Sequence, residues 1–383
     1  MNSTTKYLSA VGVAILALFT SSCGLLAPRT SGDSTSEVAA VSKKELILVG
    51  TFTGGGSEGV YSFTYQPSEQ ALRHTGTFVT PNPSYMALDR AKRVVYIANE
   101  QTRAEEAMAT SAAIDGRSGR LSALNSSYTL GASPTYITTD GKDKVVTANY
   151  GSGSITLFNV DSRGLLGQPD WHIVMSNPEE SHPHAVVLTP DKKELFVPDK
   201  GHDKVYHFLV SNTNPPLTID GQTLNLPEGT GPRHIIFDKR GDHAYLIAER
   251  VPKLFVYRRS GGEMALEQTV ELPLPAGTHG QHIALSADGR FLYTSHCDAV
   301  NVITVFSVDP STGRLSVVGR QEVGDKPRQF AISPDGSLLA VACKDSNRVE
   351  FYRRNAQTGL LQSAKPLGIT VKQPVFVLWE RSY

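Results

Sequence analysis

A seven-fold internal repeat constrains this chain more than any other feature. Seven short segments align: NPSYMALD from Asn82, SPTYITTD from Ser133, HPHAVVLT from His182, GPRHIIFD from Gly231, HGQHIALS from His279, KPRQFAIS from Lys326 and QPVFVLWE from Gln373. Their shared Pro, replaced by Gly280 in the fifth, recurs every 47 to 51 residues, a period that points to radial blades or a solenoid. Within each period, short apolar runs such as VVYIANE, ELFVPDK and KVYHFLV follow one another with no helical stretch of comparable length, so each unit reads as four strands. Asp140-Gly141, Arg240-Gly241, Asp288-Gly289 and Asp335-Gly336 punctuate the runs, and such pairs suit hairpin turns that need positive φ.

Four short strands repeated seven times predict an all-β, seven-bladed β-propeller, because ring closure leaves only short, protected edges. The last unit contains one strand, Pro374 to Glu380; the N-terminal runs ELILVGTF, GVYSFTY and Leu72 to Phe78 must supply the other three and close the ring. An open solenoid would need polar capping repeats at its ends, and none is visible. The propeller is expected over residues 44–383.

Residues 1–22 read as an export signal: Lys6, an apolar run from Leu8 to Phe19, then Thr20-Ser21-Ser22 before Cys23. The run falls short of the roughly 20 residues a membrane-spanning helix needs. Its end resembles the bacterial lipoprotein box, with Thr20 where Leu is usual, and the resemblance implies that Cys23 becomes the acylated first residue of the mature protein. Residues 23–43, rich in Ser, Thr, Ala and Gly, read as a flexible linker. The expected location is therefore the periplasm or the outer cell surface, with a lipid tether to a bacterial membrane. Lys plus Arg and Asp plus Glu both number 37, so there is no net positive field to draw nucleic acid. Cys297 and Cys343 read as two free, buried thiols. A monomer is expected.

The repeat also places side chains. One position after each aligned Pro stand Ser84, Thr135, His184, Arg233, Gln281, Arg328 and Val375. Pseudo-symmetry sets these at one level of the central channel, and the change from small to basic residues over blades three to six marks a pocket on one side of its mouth. A second ring comes from the second-strand ends: Glu100, Tyr150, Lys200, Glu249, Cys297 and Lys344. If the turns bring those ends to the same mouth, a carboxylate meets several cations there. Gly55-Gly56-Ser57-Glu58-Gly59 fits G-x-S-x-G, and Gly54 to Gly59 fits G-x-G-x-x-G. Both motifs require a strand-to-helix turn, whereas this stretch joins two strands of one blade.

The stretches VGTFTGGGSEGVYSFTY, HPHAVVLTPDKKELFVPDKGHDKVYHF, GPRHIIFDKRGDHAYLIAE and PRQFAISPDGSLLAVACKDSNRVEFY resemble the seven-bladed lactonase family, which includes 6-phosphogluconolactonase and fungal muconate-lactonizing propellers. The resemblance covers Glu45 to Tyr383. It implies a lactone hydrolase acting on a small-molecule sugar lactone, without cofactor, and it carries His184, Arg233 and Glu249 as the core of the site. Lactone hydrolysis needs a base for water and donors for the oxyanion; Glu249 or His184 is the expected base, Arg233 the anion and oxyanion donor. His182, His234, Gln281, His282, His296 and Arg328 are the expected substrate contacts. Where the family commonly reads Ser-Asn-Arg, this chain has Ser295-His296-Cys297. Either His296 or Arg328 takes the arginine's place, or substrate or activity has changed. His182-Pro183-His184 lacks a third ligand partner, so no metal is expected. The alternatives are a tethered propeller that binds a protein or glycan without turnover, and a lactone-forming isomerase.

Overall fold

The computed structural model describes residues 44–260 and 262–381. The expected signal segment, Cys23 and the linker lie outside the described residues, as does the lipid tether inferred from them.

Seven antiparallel sheets form seven blades, each ordered from an inner strand at the channel to an outer strand at the rim. Blade one runs Pro83–Asp89, Val94–Asn99, Met108–Ile114 and Leu121–Tyr128. Blade four runs Pro232–Phe237, His243–Ala248, Lys253–Ser260 and Glu263–Glu271. Second strands are buried throughout, as in Val94–Asn99 and His243–Ala248, because neighbouring blades cover both their faces. The outer strand Leu121–Tyr128 is largely exposed. The glycines of the four turn pairs all take positive φ, from 70° at Gly289 to 79° at Gly241, the conformation a side chain disfavours.

Ring closure follows the expected scheme. Pro374–Arg381 is the inner strand of the seventh blade, followed by Glu45–Thr51, Gly59–Gln66 and Ala71–Val79. Leu46 pairs with Glu380 and Leu48 with Leu378, and the Trp379 indole N–H donates to the Glu45 carboxylate at 2.7 Å. Apolar side chains pack between blades, not within them. Leu46, Leu48 and Phe376 of the seventh blade meet Met86, Val95 and Ile97 of the first, while Val377 and Trp379 meet Leu338, Ala340 and Phe351 of the sixth. The Gly-rich loop before Gly59 is a turn whose Ser57 hydroxyl bonds Thr51 and the Phe52 carbonyl. That contact suits a blade loop, not a nucleophile elbow.

Candidate active site

Each inner strand carries the same irregularity where it enters the channel. In blade one, Pro83 pairs with Asn99 and Tyr85 with Ala98, so Ser84 is left over as a β-bulge. The same skip leaves out Thr135, Arg233, Gln281, Arg328 and Val375. Blade three reaches an equivalent geometry through an isolated Pro183–Asp199 bridge and the His184 N–H donating to the Pro198 carbonyl at 2.9 Å. A bulge re-aims a side chain that strict alternation would turn away. Here two successive residues of each inner strand thereby come to serve the channel.

The first of these two levels forms the wall of a narrow cavity at the channel mouth. Six of the seven ring residues line it: Ser84, Thr135, His184, Arg233, Arg328 and Val375. Gln281, the seventh, is buried beside it, its side-chain oxygen accepting from Arg328 Nη1 at 3.0 Å. The second level is a floor, of which sequence reasoning had named His234 and His282 as substrate contacts and missed Tyr85 and Tyr136. Tyr85 stacks on Tyr136 with centroids 3.9 Å apart, and His234 meets Tyr136, His184 and His282 edge to face. His234 Nδ1 lies 3.2 Å from His282 Nδ1. The signal was present two positions after each aligned Pro, where aromatic and imidazole residues recur.

Glu249 organises the charged side. Its Oε1 accepts from Lys200 Nζ at 2.6 Å, its Oε2 from Arg233 Nε at 3.0 Å, and His184 Nε2 stands 3.7 Å from Oε2. Arg233 Nη1 donates to the Gln281 carbonyl, so the guanidinium is clamped from two blades. Burial would raise the Glu249 carboxyl, but Arg233, His184 and Lys200 together hold it well below the ordinary range. Burial, aided by the Arg328 charge, lowers Arg233 to about 10. Burial first and Arg233 second keep His184 and His234 neutral, and the same two causes push His282 down to about 3. Glu100, also in the cavity wall, moves the opposite way: its burial raises the carboxyl. The second ring therefore contributes two carboxylates to the mouth, where one was expected.

Not every expected residue joins the cluster. His182 belongs to the rim, stacked on Tyr150 with centroids 4.5 Å apart. His296 is a correction to the sequence reading. It sits beside Thr294, within the field of Arg320, and is absent from the cavity wall. Its neighbour Cys297 senses Arg328 and Lys326 instead, because alternation along Phe291–Asp298 turns adjacent side chains to opposite faces. Arg328 is thus the second guanidinium of the cavity. Cys297 and Cys343 are free, buried thiols, and burial raises Cys297 to about 12. Lys200, Tyr150 and Glu100 had been placed in a ring by the repeat without being given a part in the site.

Residues 46–379 match the family described as lactonase, 7-bladed beta-propeller. The chain belongs to that family. Among its relatives, the 6-phosphogluconolactonase of Bacillus subtilis is 30% identical over 348 residues, covering 87% of this chain and 98% of the relative. The 6-phosphogluconolactonase of Formosa agariphila is 28% identical, covering 82% and 94%. The crystal structure of the periplasmic gluconolactonase of Pseudomonas aeruginosa superposes with a TM-score of 0.83 at 30% identity, over 89% of this chain and all of that one. In this member of the lactonase family, Arg328, from the blade after that of Cys297, brings a second guanidinium to the cavity beside Arg233.

Proposed function

We propose that the protein hydrolyses a sugar lactone in the channel-mouth cavity, with Arg233 and Arg328 stabilising the oxyanion of the tetrahedral intermediate. The observation that carries this reading is the pair of guanidiniums in the wall of one cavity, in a chain whose relatives bear lactonase names. Arg233 is 3% exposed and clamped by Glu249 and Gln281, so its donors are preorganised where negative charge develops. Both Glu249 oxygens are already engaged. Glu249 therefore serves best as the group that positions Arg233 and Lys200.

A polar substrate is supported by two buried atoms with no partner beside the cavity: Thr135 Oγ1 and His184 Nδ1. Buried polar groups are rarely left unbonded, and the hydroxyls of a sugar lactone would satisfy both. His234 and His282 complete the floor, while Gln281 and His234 hold Arg233; His182 shapes the rim. The segment 1–22, with Cys23 acylated, would deliver the propeller to the outer side of a bacterial membrane. Export favours an extracytoplasmic lactone, in keeping with the periplasmic gluconolactonase among its structural relatives.

The test is the hydrolysis of glucono-1,5-lactone and its 6-phosphate by the purified protein, beside Arg233→Ala. Turnover above the spontaneous rate that is lost in the variant supports the reading. A folded protein with no turnover on either lactone would point to the binding propeller instead.

A further inference from the structure

Glu100 ends the second strand of blade one in the position that Glu249 holds in blade four. Two blades lie between them on one side of the ring and three on the other, so they stand on opposite sides of the mouth. Their surroundings differ. Glu249 is saturated by Lys200 and Arg233. Glu100 lines the cavity, and among the described residues its carboxylate makes no direct ion pair; its influences are the Ser84 hydroxyl and the more distant charges of Arg328 and Arg233. Thr135, beside it in the wall, carries an unpartnered hydroxyl.

A half-buried carboxylate without a direct cation is costly to keep, and packing alone would be better served by an apolar side chain. Glu100 instead lines the same cavity wall as the Arg233 and Arg328 guanidiniums. Burial raises its carboxyl while cations depress that of Glu249. Two carboxylates pushed apart around one arginine is the arrangement in which one does proton transfer and the other holds charge.

We propose that Glu100 is the general base of the lactone hydrolysis, accepting a proton from the attacking water. This rests on the lactonase reading above. The water oxygen bonds to the lactone carbonyl carbon as its proton passes to the Glu100 carboxylate, and the carbonyl oxygen becomes an oxyanion facing Arg233 and Arg328. Collapse re-forms the carbonyl and breaks the bond to the ring oxygen. That oxygen takes the proton from Glu100, giving the hydroxy acid and restoring the carboxylate.

The experiment is the pH profile of kcat for the full-length protein and for Glu100→Gln, Glu100→Asp and Glu249→Gln on glucono-1,5-lactone and its 6-phosphate, with unfolding midpoints measured alongside. The wild type should show kcat rising with pH through a limb above the ordinary glutamate range, since the base works only when ionised. Glu100→Gln should lose about 10²–10⁴-fold in kcat, keep KM within about threefold, and lose that limb. Glu100→Asp should recover part of the rate and retain a limb, which keeps the test open should Glu100→Gln fail to fold. Glu249→Gln should lower the rate with the limb intact. An active wild type whose limb and rate survive in Glu100→Gln, or whose limb disappears in Glu249→Gln instead, overturns the assignment alone. A wild type inactive on both lactones overturns the lactonase reading and this base with it.

Discussion

At the residue scale the site is governed by how few bonding directions Glu249 has left. Its two oxygens hold Lys200 and Arg233, and Arg233 is also clamped by the Gln281 carbonyl, so the three side chains act as a unit. Glu249→Gln should remove the charge that neutralises two buried cations. Breaking a buried pair from one side costs about 3 kcal/mol, readable as a lower urea midpoint. Arg233→Ala should lower kcat about 10²–10³-fold, the scale of losing an oxyanion donor. Arg233→Lys should rescue little of this, because an ammonium cannot reach Glu249 and Gln281 in the planar fork that a guanidinium supplies. Steady-state kinetics of the two arginine variants decide it: a Lys variant with near wild-type kcat would mean that charge alone matters at this position.

At the element scale the decisive feature is the bulge at the head of each inner strand. Gly280 shows how tightly that head is packed. It replaces the repeat's Pro because its N–H donates to the Glu249 carbonyl at 3.1 Å and a Cβ would collide with the Ala248 carbonyl. Gly280→Ala should therefore cost about 1–3 kcal/mol through overpacking and, by displacing the backbone of Glu249, lower kcat with it; unfolding and kinetics on the one variant read both. The closing blade carries its own titration. Burial raises Glu45 to about 7, against the lowering influence of its bond to Trp379. Its folded value lies above the unfolded one, so the stability it contributes is complete below about pH 4.5 and is lost as pH rises through about 7. Glu45→Gln keeps an acceptor for the indole, so its melting temperature should match wild type near pH 4 and exceed it near pH 8. A difference that stays flat across that range would refute the shift. These same strands show what was readable beforehand. Blade number, ring closure and the ring of Ser84, His184, Arg233 and Arg328 follow from period and alignment, which are local in sequence. Bulges leave no compositional mark, so His234 and His282 were named as contacts without the second level being recognised, and Tyr85 and Tyr136, which share it, were passed over. The parity that chooses Cys297 over His296 for the cavity side depends on register, and the weight of Glu100 depends on which carboxylate finds cations in space.

At the scale of the whole molecule, the ring is only as sound as the blade that joins its ends. Pro374–Arg381 places Phe376 against Leu48 and Ile97 on one side and Val377 and Trp379 against Ala340 and Phe351 on the other. All three are buried, at 5%, 1% and 7% exposure. At about 1.5–3 kcal/mol per buried large apolar side chain, these three residues together match much of the roughly 5–15 kcal/mol that separates a native domain from its unfolded chain. Their loss also opens the inner edge of Glu45–Thr51 and deprives the cavity of Val375. A chain ending at Gln373 should therefore lose cooperative folding altogether instead of merely losing activity. Val377→Ala should keep the ring closed and cost only about 1–2 kcal/mol, as expected for two methyl groups removed from a packed core. Circular dichroism melts and size-exclusion profiles of the two proteins side by side make the comparison. A truncated chain that still melts cooperatively would show that the other six blades hold the ring without its clasp, and the cavity would then owe its shape to blade packing alone.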